Sequence, residues 1–147
     1  MISLEDIDKY RFRYELQVRY SDMDMLGHAN NAVYLTYLEL ARLGYFNEVI
    51  QQEWKEVALV LAHASMDYKI PITPGIRPVV HIRTTKIGNS SIHLENMITD
   101  HENKTLYYTS SMVLVAINTK TGKSTPIPES EKEKVIAYEP ALEAIQQ

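Results

Sequence analysis

The stretch from residue 31 to residue 50 limits most sharply what this chain can fold into, because it carries a helical pattern that is apolar nearly all the way round. Val33, Tyr34, Leu35, Tyr37, Leu38, Leu40, Ala41, Leu43, Tyr45, Phe46, Val49 and Ile50 leave only a narrow polar stripe through Thr36, Glu39, Arg42 and Asn47. A helix of this kind is predicted to be buried on most sides. The chain has 147 residues, enough for one domain with a substantial apolar core and no covalent staples. In so small a domain the natural partner of such a helix is a sheet that curls around it. Asn30 or Asn31 stands where a cap is needed, since a side-chain oxygen there can accept an otherwise unpaired first-turn N–H.

The rest of the chain supplies the sheet. Phe12, Tyr14, Leu16, Val18 and Tyr20 alternate with Arg13, Glu15, Gln17 and Arg19, which predicts a half-buried strand over 12–20. Residues 57–69 open with an apolar run that becomes extended before Pro71, and Ile70 to Gly75 is loop punctuation. Residues 79–87, 91–100 and 105–118 are rich in β-branched residues and read as three consecutive strands. Their breaks, Gly88-Asn89-Ser90 and Glu102-Asn103-Lys104, are short enough for hairpins and hence an antiparallel meander. Glu129 to Gln147 is charged and reads as a short terminal helix interrupted at Pro140. The expectation is a single α+β domain over 1–147, with an antiparallel sheet of about five strands around one long helix.

Composition removes several classes of function. With no cysteine there is no disulfide, no thiolate nucleophile and no cysteine metal site. A net charge of −4 with mixed signs argues against a nucleic-acid partner, which needs a basic face. Residues 1–11 alternate acidic and apolar residues rather than showing a basic start and an apolar run, so a secretory signal is not expected. No stretch approaches the ~18 apolar residues of a membrane span. A cytoplasmic domain without a membrane partner is the resulting expectation.

Chemistry concentrates between the first strand and the apolar helix, in Tyr20-Ser21-Asp22-Met23-Asp24-Met25-Leu26-Gly27-His28-Ala29-Asn30-Asn31. The first N–H groups of a helix lack intrahelical partners, and the helix dipole adds positive charge there. A carbonyl oxygen aimed at them is polarised, and an oxyanion forming on it is stabilised. A carboxylate just upstream can then act on the same carbonyl carbon as nucleophile or general base. Gly27 lets the chain turn sharply between the two. Asp-x-Asp with a following glycine also suggests a calcium loop. Counting from Asp22, however, positions five and twelve are Leu26 and Val33, where calcium needs oxygen ligands. No His-x-x-x-His pair accompanies His28, so no zinc site is expected. Asp22, His28 and Asn30 each have a plainer reading as partners of loop and cap N–H groups. Glu39 and Arg42, three apart, suggest an ion pair along the helix.

Arg19-Tyr20-x-Asp22-x-Asp24-x-x-Gly27-His28-x-Asn30-Asn31-x-x-Tyr34-x-x-Tyr37-x-Glu39-x-x-Arg42 resembles the signature of the 4-hydroxybenzoyl-CoA thioesterase family. The resemblance is densest over 18–46. It continues more weakly through Ala64-Ser65-Met66-Asp67-Tyr68 with Pro71 and through Lys86 to Ser91. It implies the hot-dog fold, an antiparallel sheet wrapped around a long central helix, and an acyl-CoA thioesterase that needs no cofactor. It also implies Asp24 as the catalytic carboxylate and an oxyanion contact at or next to Asn31, with Asn30, His28 and Tyr34 around the substrate. By the same resemblance, CoA is bound near the hairpin formed by Lys86, Asn89, Ser90 and Ser91, across a subunit boundary in a homodimer or homotetramer. That hairpin is less basic here than in other versions, so an acyl-carrier protein stands beside CoA as carrier. An enoyl-thioester hydratase or dehydratase on the same fold, using Asp24 and His28 as an acid–base pair, is the nearest rival. A non-catalytic acyl-thioester binding module is the second, since fold alone does not establish activity.

Overall fold

The computed structural model describes residues 1–51, 56–139 and 141–144. The apolar pattern is a helix, α1, from Val33 to Val49, and the five strands are β1 (Phe12–Glu15), β2 (Val57–Tyr68), β3 (Val79–Ile87), β4 (Ser91–Thr99) and β5 (Leu106–Asn118). They form one sheet in the order β1-β3-β4-β5-β2, with every neighbouring pair antiparallel. A second helix, α2 (Glu129–Tyr138), and the two-residue strand β6 (Glu143–Ala144) follow. β6 lies parallel to β3 at Lys86 and Ile87, on the stretch of that edge that β1 leaves open. This is the expected α+β architecture of a sheet around one long helix.

Period-two alternation decides which strand residues meet the helix. Val80 and Ile82 of β3, Ile92, Leu94 and Ile98 of β4, and Tyr108, Met112, Leu114 and Ala116 of β5 are buried and belong to a single apolar cluster with α1. From the helix come Tyr34, Tyr37, Leu38, Ala41, Tyr45 and Val49. Tyr34 stacks on Tyr108 with ring centroids 5.0 Å apart, and Phe12 meets the ring of Tyr45 edge-on at 5.4 Å. Such aromatic pairs add about 0.5–1.5 kcal/mol beyond the area they bury.

Three expectations need correction. The helix is not covered on most sides: Leu35, Leu40 and Leu43 are exposed, Leu43 by 61%. One sheet can wrap only one side of a helix, and in a lone chain the opposite face stays open. The first strand ends at Glu15 rather than running to residue 20. Its partner β3 begins only at Val79, so after Leu16 donates to the carbonyl of Pro78 (2.9 Å) no ladder remains. The chain then turns through a 3-10 helix at Tyr20–Asp22. Lastly, the terminal helix stops at Tyr138. Glu139 is extended (φ −97, ψ 118), as expected of a residue preceding proline. Its buried carboxyl accepts from the Tyr45 hydroxyl and from the backbone N–H of Thr84, beside the irregularity between Thr84 and Lys86 in the β3–β4 ladder. Pro140 and residues 145–147 lie outside the described residues.

Gly44 faces β1, and a Cβ there would sit 3.3 Å from Tyr14 Cδ2 and 3.4 Å from Phe12 Cζ. Gly44→Val is expected to destabilise the fold by about 1–3 kcal/mol through overpacking. Urea unfolding measures the loss; an unchanged midpoint would show that β1 does not press on the helix at this point.

Candidate active site

The loop between β1 and α1 is held as a tight hairpin. Met23 and Ala29 form an isolated antiparallel bridge, the Asp24 N–H donates to the His28 carbonyl (2.7 Å), and the Asn30 N–H donates to the Asp22 carbonyl (2.8 Å). Gly27 sits at φ 75, a left-handed conformation that glycine adopts without penalty, and its N–H donates to the Asp24 carbonyl at 3.1 Å. Met25 and Leu26 project into solvent at the tip.

The two aspartates of Asp-x-Asp do different work. Asp22 is 3% exposed. One of its oxygens accepts from the Arg19 N–H (2.9 Å) and the Tyr37 hydroxyl (2.8 Å), and the other from the Arg19 guanidinium (3.0 Å). Burial pushes its carboxyl up. The Arg19 N–H, the Tyr37 hydroxyl and the Arg19 guanidinium outweigh that and hold it below the usual carboxylate range. Burial and the Asp22 charge in turn push the Tyr37 phenol well up, so it stays a donor. Asp22 thus fastens the loop to the first turns of α1, matching its reading as a partner of loop N–H groups.

Asp24 is exposed. Its Oδ1 accepts the N–H groups of Leu26 (2.9 Å) and His28 (3.1 Å), and Oδ2 has no partner among the described residues. One oxygen therefore shapes the loop and the other faces outward. His28 contributes its backbone N–H and carbonyl to the hairpin, and its ring makes no hydrogen bond among the described residues.

At the helix start two N–H groups are taken by Asn30. Asn30 Oδ1 accepts from Ala32 N (2.9 Å), and the Asn30 carbonyl accepts from Val33 N (2.9 Å). The N–H of Asn31 has no acceptor among the described residues. Its carbonyl is held by the Tyr68 hydroxyl at 3.0 Å, which ties the helix start to the end of β2. One exposed carboxylate oxygen and one helix-start N–H without an acceptor among the described residues thus belong to the same short loop.

Asp24 and His28 are hydrogen-bonded to each other, Asn30 is bonded to Asp22 and Ala32, and Asn31 follows at the helix start. Tyr34 does not join them: it is 2% exposed, inside a cluster with Tyr37, Tyr68 and Tyr108, where it supports the helix start. Lys86, Asn89, Ser90 and Ser91 are also distant within one chain. The loop leaves the sheet at the Val79 end of β3 and the hairpin lies beyond the Ile87 end, roughly 26 Å away at ~3.3 Å per residue. The hairpin is pinned by Ala116 N to the Ser90 carbonyl and Ile127 N to the Asn89 carbonyl, both 2.8 Å. Glu39 and Arg42 form no ion pair; Arg42 turns toward the sheet and donates to Met112 Sδ at 3.5 Å. Sequence reasoning missed the Tyr37–Asp22 and Tyr68–Asn31 contacts, which join residues 15 and 37 positions apart and leave no local pattern. Among the described residues there is no cluster of three or more potential metal ligands.

The profile of the thioesterase-like superfamily matches residues 18–135. A thioesterase from Thermus thermophilus, solved with coenzyme A and zinc, is 35% identical; the match covers 88% of this chain and 95% of that one, with a TM-score of 0.78. The PA2801 protein of Pseudomonas aeruginosa is 30% identical over 82% of this chain and 95% of that chain, with a TM-score of 0.75. YsmA of Bacillus subtilis (strain 168) is 28% identical over 128 residues, 86% of each chain.

Asp22→Ala leaves the buried Tyr37 hydroxyl without its acceptor and is expected to cost about 2–4 kcal/mol. Because the folded carboxyl is held low, its contribution is present above the unfolded carboxylate pKa and is lost as pH falls through the folded one. Denaturation of wild type and variant across pH should show the gap narrowing in acid; a gap independent of pH would contradict this role.

Proposed function

The chain belongs to the thioesterase-like superfamily, and we propose that it is an acyl-CoA thioesterase of the 4-hydroxybenzoyl-CoA thioesterase type, with Asp24 as its catalytic carboxylate. The observation that carries this reading is the unclaimed Asn31 N–H at the start of α1, on the same loop as the exposed Asp24 Oδ2. The thioester oxygen would lie against the Asn31 N–H, where the helix dipole strengthens the hydrogen bond as charge develops. Asp24 would either attack the carbonyl, giving a mixed anhydride that water cleaves, or take a proton from the attacking water. In both routes the carbon–sulfur bond breaks and CoA leaves as thiolate. Asn30 shapes the helix start, and His28 contributes its backbone to the loop.

CoA recognition by Lys86, Asn89, Ser90 and Ser91 requires a second chain, and β2 supplies the means. It is a twelve-residue edge strand with one ladder neighbour, β5, and it exposes Val60, Leu61 and Tyr68. Such an edge invites pairing. Val115 of β5 pairs with both Ser91 and Val60, so the hairpin stands at the Val60 end of β2. Asn31 stands at the Tyr68 end. Antiparallel pairing of β2 with its own copy brings opposite ends together, so the partner's hairpin would reach the neighbourhood of Asn31. A homodimer is therefore the smallest complete unit in this reading, and a homotetramer is two such units. An acyl-carrier protein is the alternative carrier. No described helix is long and apolar enough to cross a membrane.

Asp24→Asn tests the assignment cleanly, because the amide oxygen can still accept from Leu26 and His28 while the charge is lost. Release of CoA thiol, screened over aliphatic and aryl acyl-CoAs and acyl-carrier protein, should fall by about 100- to 10,000-fold with folding preserved. Hydrolysis by the folded variant near the wild-type rate would overturn it.

A further inference from the structure

The open face of α1 leads somewhere. Val33 and Thr36 line the surface beside Asp22 and Asn30 at the helix start. Glu39 and Leu43 continue that stripe at three- and four-residue steps. The stripe ends in a cleft of about 340 Å³ between the second half of α1 and the start of β2, walled by Leu43, Phe46, Val57, Leu59 and Leu114. This size is typical of small-molecule pockets. Glu39, Asn47 and Arg42 are its polar groups, and Arg42 is the cation among them.

Arg42 is half-buried, and the acceptor it reaches is the Met112 thioether, a weak one. Among the described residues no carboxylate lies within ion-pair distance of it. Glu39, on the solvent side of the same cleft, acts only through space. Burial lowers the pKa of the guanidinium and the Glu39 charge opposes this. A partly desolvated guanidinium whose fork of donors is mostly unused is matched by a carboxylate, which it can hold in a bidentate pair.

We infer that the cleft is the far end of the acyl site and that Arg42 receives an anionic group at the tip of the acyl chain, making ω-carboxyacyl thioesters the preferred substrate class. This rests on the thioesterase reading above. The spacing suits it. Asn31 to Arg42 spans roughly 16 Å of helix axis, and a helical side chain leans back toward the N-terminus by about one turn. The guanidinium is thus roughly 10 Å from the Asn31 N–H along the axis, which a medium-length acyl chain bridges. Val33 and Thr36 stand along the path of the methylenes, and the carboxylate finds the guanidinium.

The test compares octanoyl-CoA with suberyl-CoA, thioesters of equal chain length that differ in a terminal carboxylate. Wild-type kcat/KM should favour suberyl-CoA by about tenfold or more, and Arg42→Met should lower that preference by roughly 10- to 100-fold. Arg42→Lys, which keeps the charge, should retain part of it. Light scattering on each variant follows assembly in parallel. Equal wild-type rates on the two thioesters, with hydrolysis intact, overturn the inference and leave the thioesterase reading standing. So does a preference that Arg42→Met leaves unchanged. A shift of Arg42→Met to a smaller assembly, with the preference intact, would assign the guanidinium to a carboxylate of a second copy. Absence of thiol release from every acyl-CoA overturns both readings.

Discussion

A buried carboxylate joins the two halves of the loop to the helix behind them. Asp22 takes the Arg19 N–H and guanidinium on the approach from β1, and the Tyr37 hydroxyl from the second turn of α1. Its own carbonyl takes the Asn30 N–H on the way out. Arg19, Asp22, Asn30 and Tyr37 are thereby held at one point. Asp24 and Asn31, each one or two residues from a member of this set, have little freedom left. The energetic case for keeping such a charge inside is that its lone pairs are met by several donors. Remove the donors and the same burial becomes a penalty.

The sheet sets the second constraint. Because it wraps only one side of α1, the helix keeps Leu40 and Leu43 exposed, and the edge strand β2 keeps Val60 and Leu61 exposed. The same incompleteness separates the loop from the Lys86–Ser91 hairpin by the length of β3. In the proposed thioesterase one chain carries both ends of the site and a homodimer would close it.

How legible this was depended on the range of the interactions. β3, β4 and β5 match the sequence reading within a residue or so at each end, because β-branched alternation and short turns are local signals. β1 fell short of its alternation because strand length is set by the partner, and β3 starts at Val79. The Asp24 loop was visible as a motif. Its anchoring by Tyr37 and Tyr68 was not, since those contacts depend on the fold that brings distant residues together. Helical spacing suggested a Glu39–Arg42 pair, but Arg42 turns under the helix toward Met112 on β5, a direction that spacing does not encode. Tyr34 carried the same ambiguity between core and pocket, and stacking on Tyr108 resolved it in favour of the core.

In the proposed thioesterase the Asn31 N–H is where the thioester oxygen docks. That docking is tested most directly by the amide resonance of Asn31 in a 15N–1H spectrum, recorded while an acyl-CoA analogue with a methylene in place of the thioester sulfur is added. Capture of the ketone oxygen predicts a large downfield shift of the Asn31 amide proton, with smaller changes through the Asp24 to Val33 segment. An Asn31 resonance that stays in place at saturation, while shifts appear elsewhere, would contradict it.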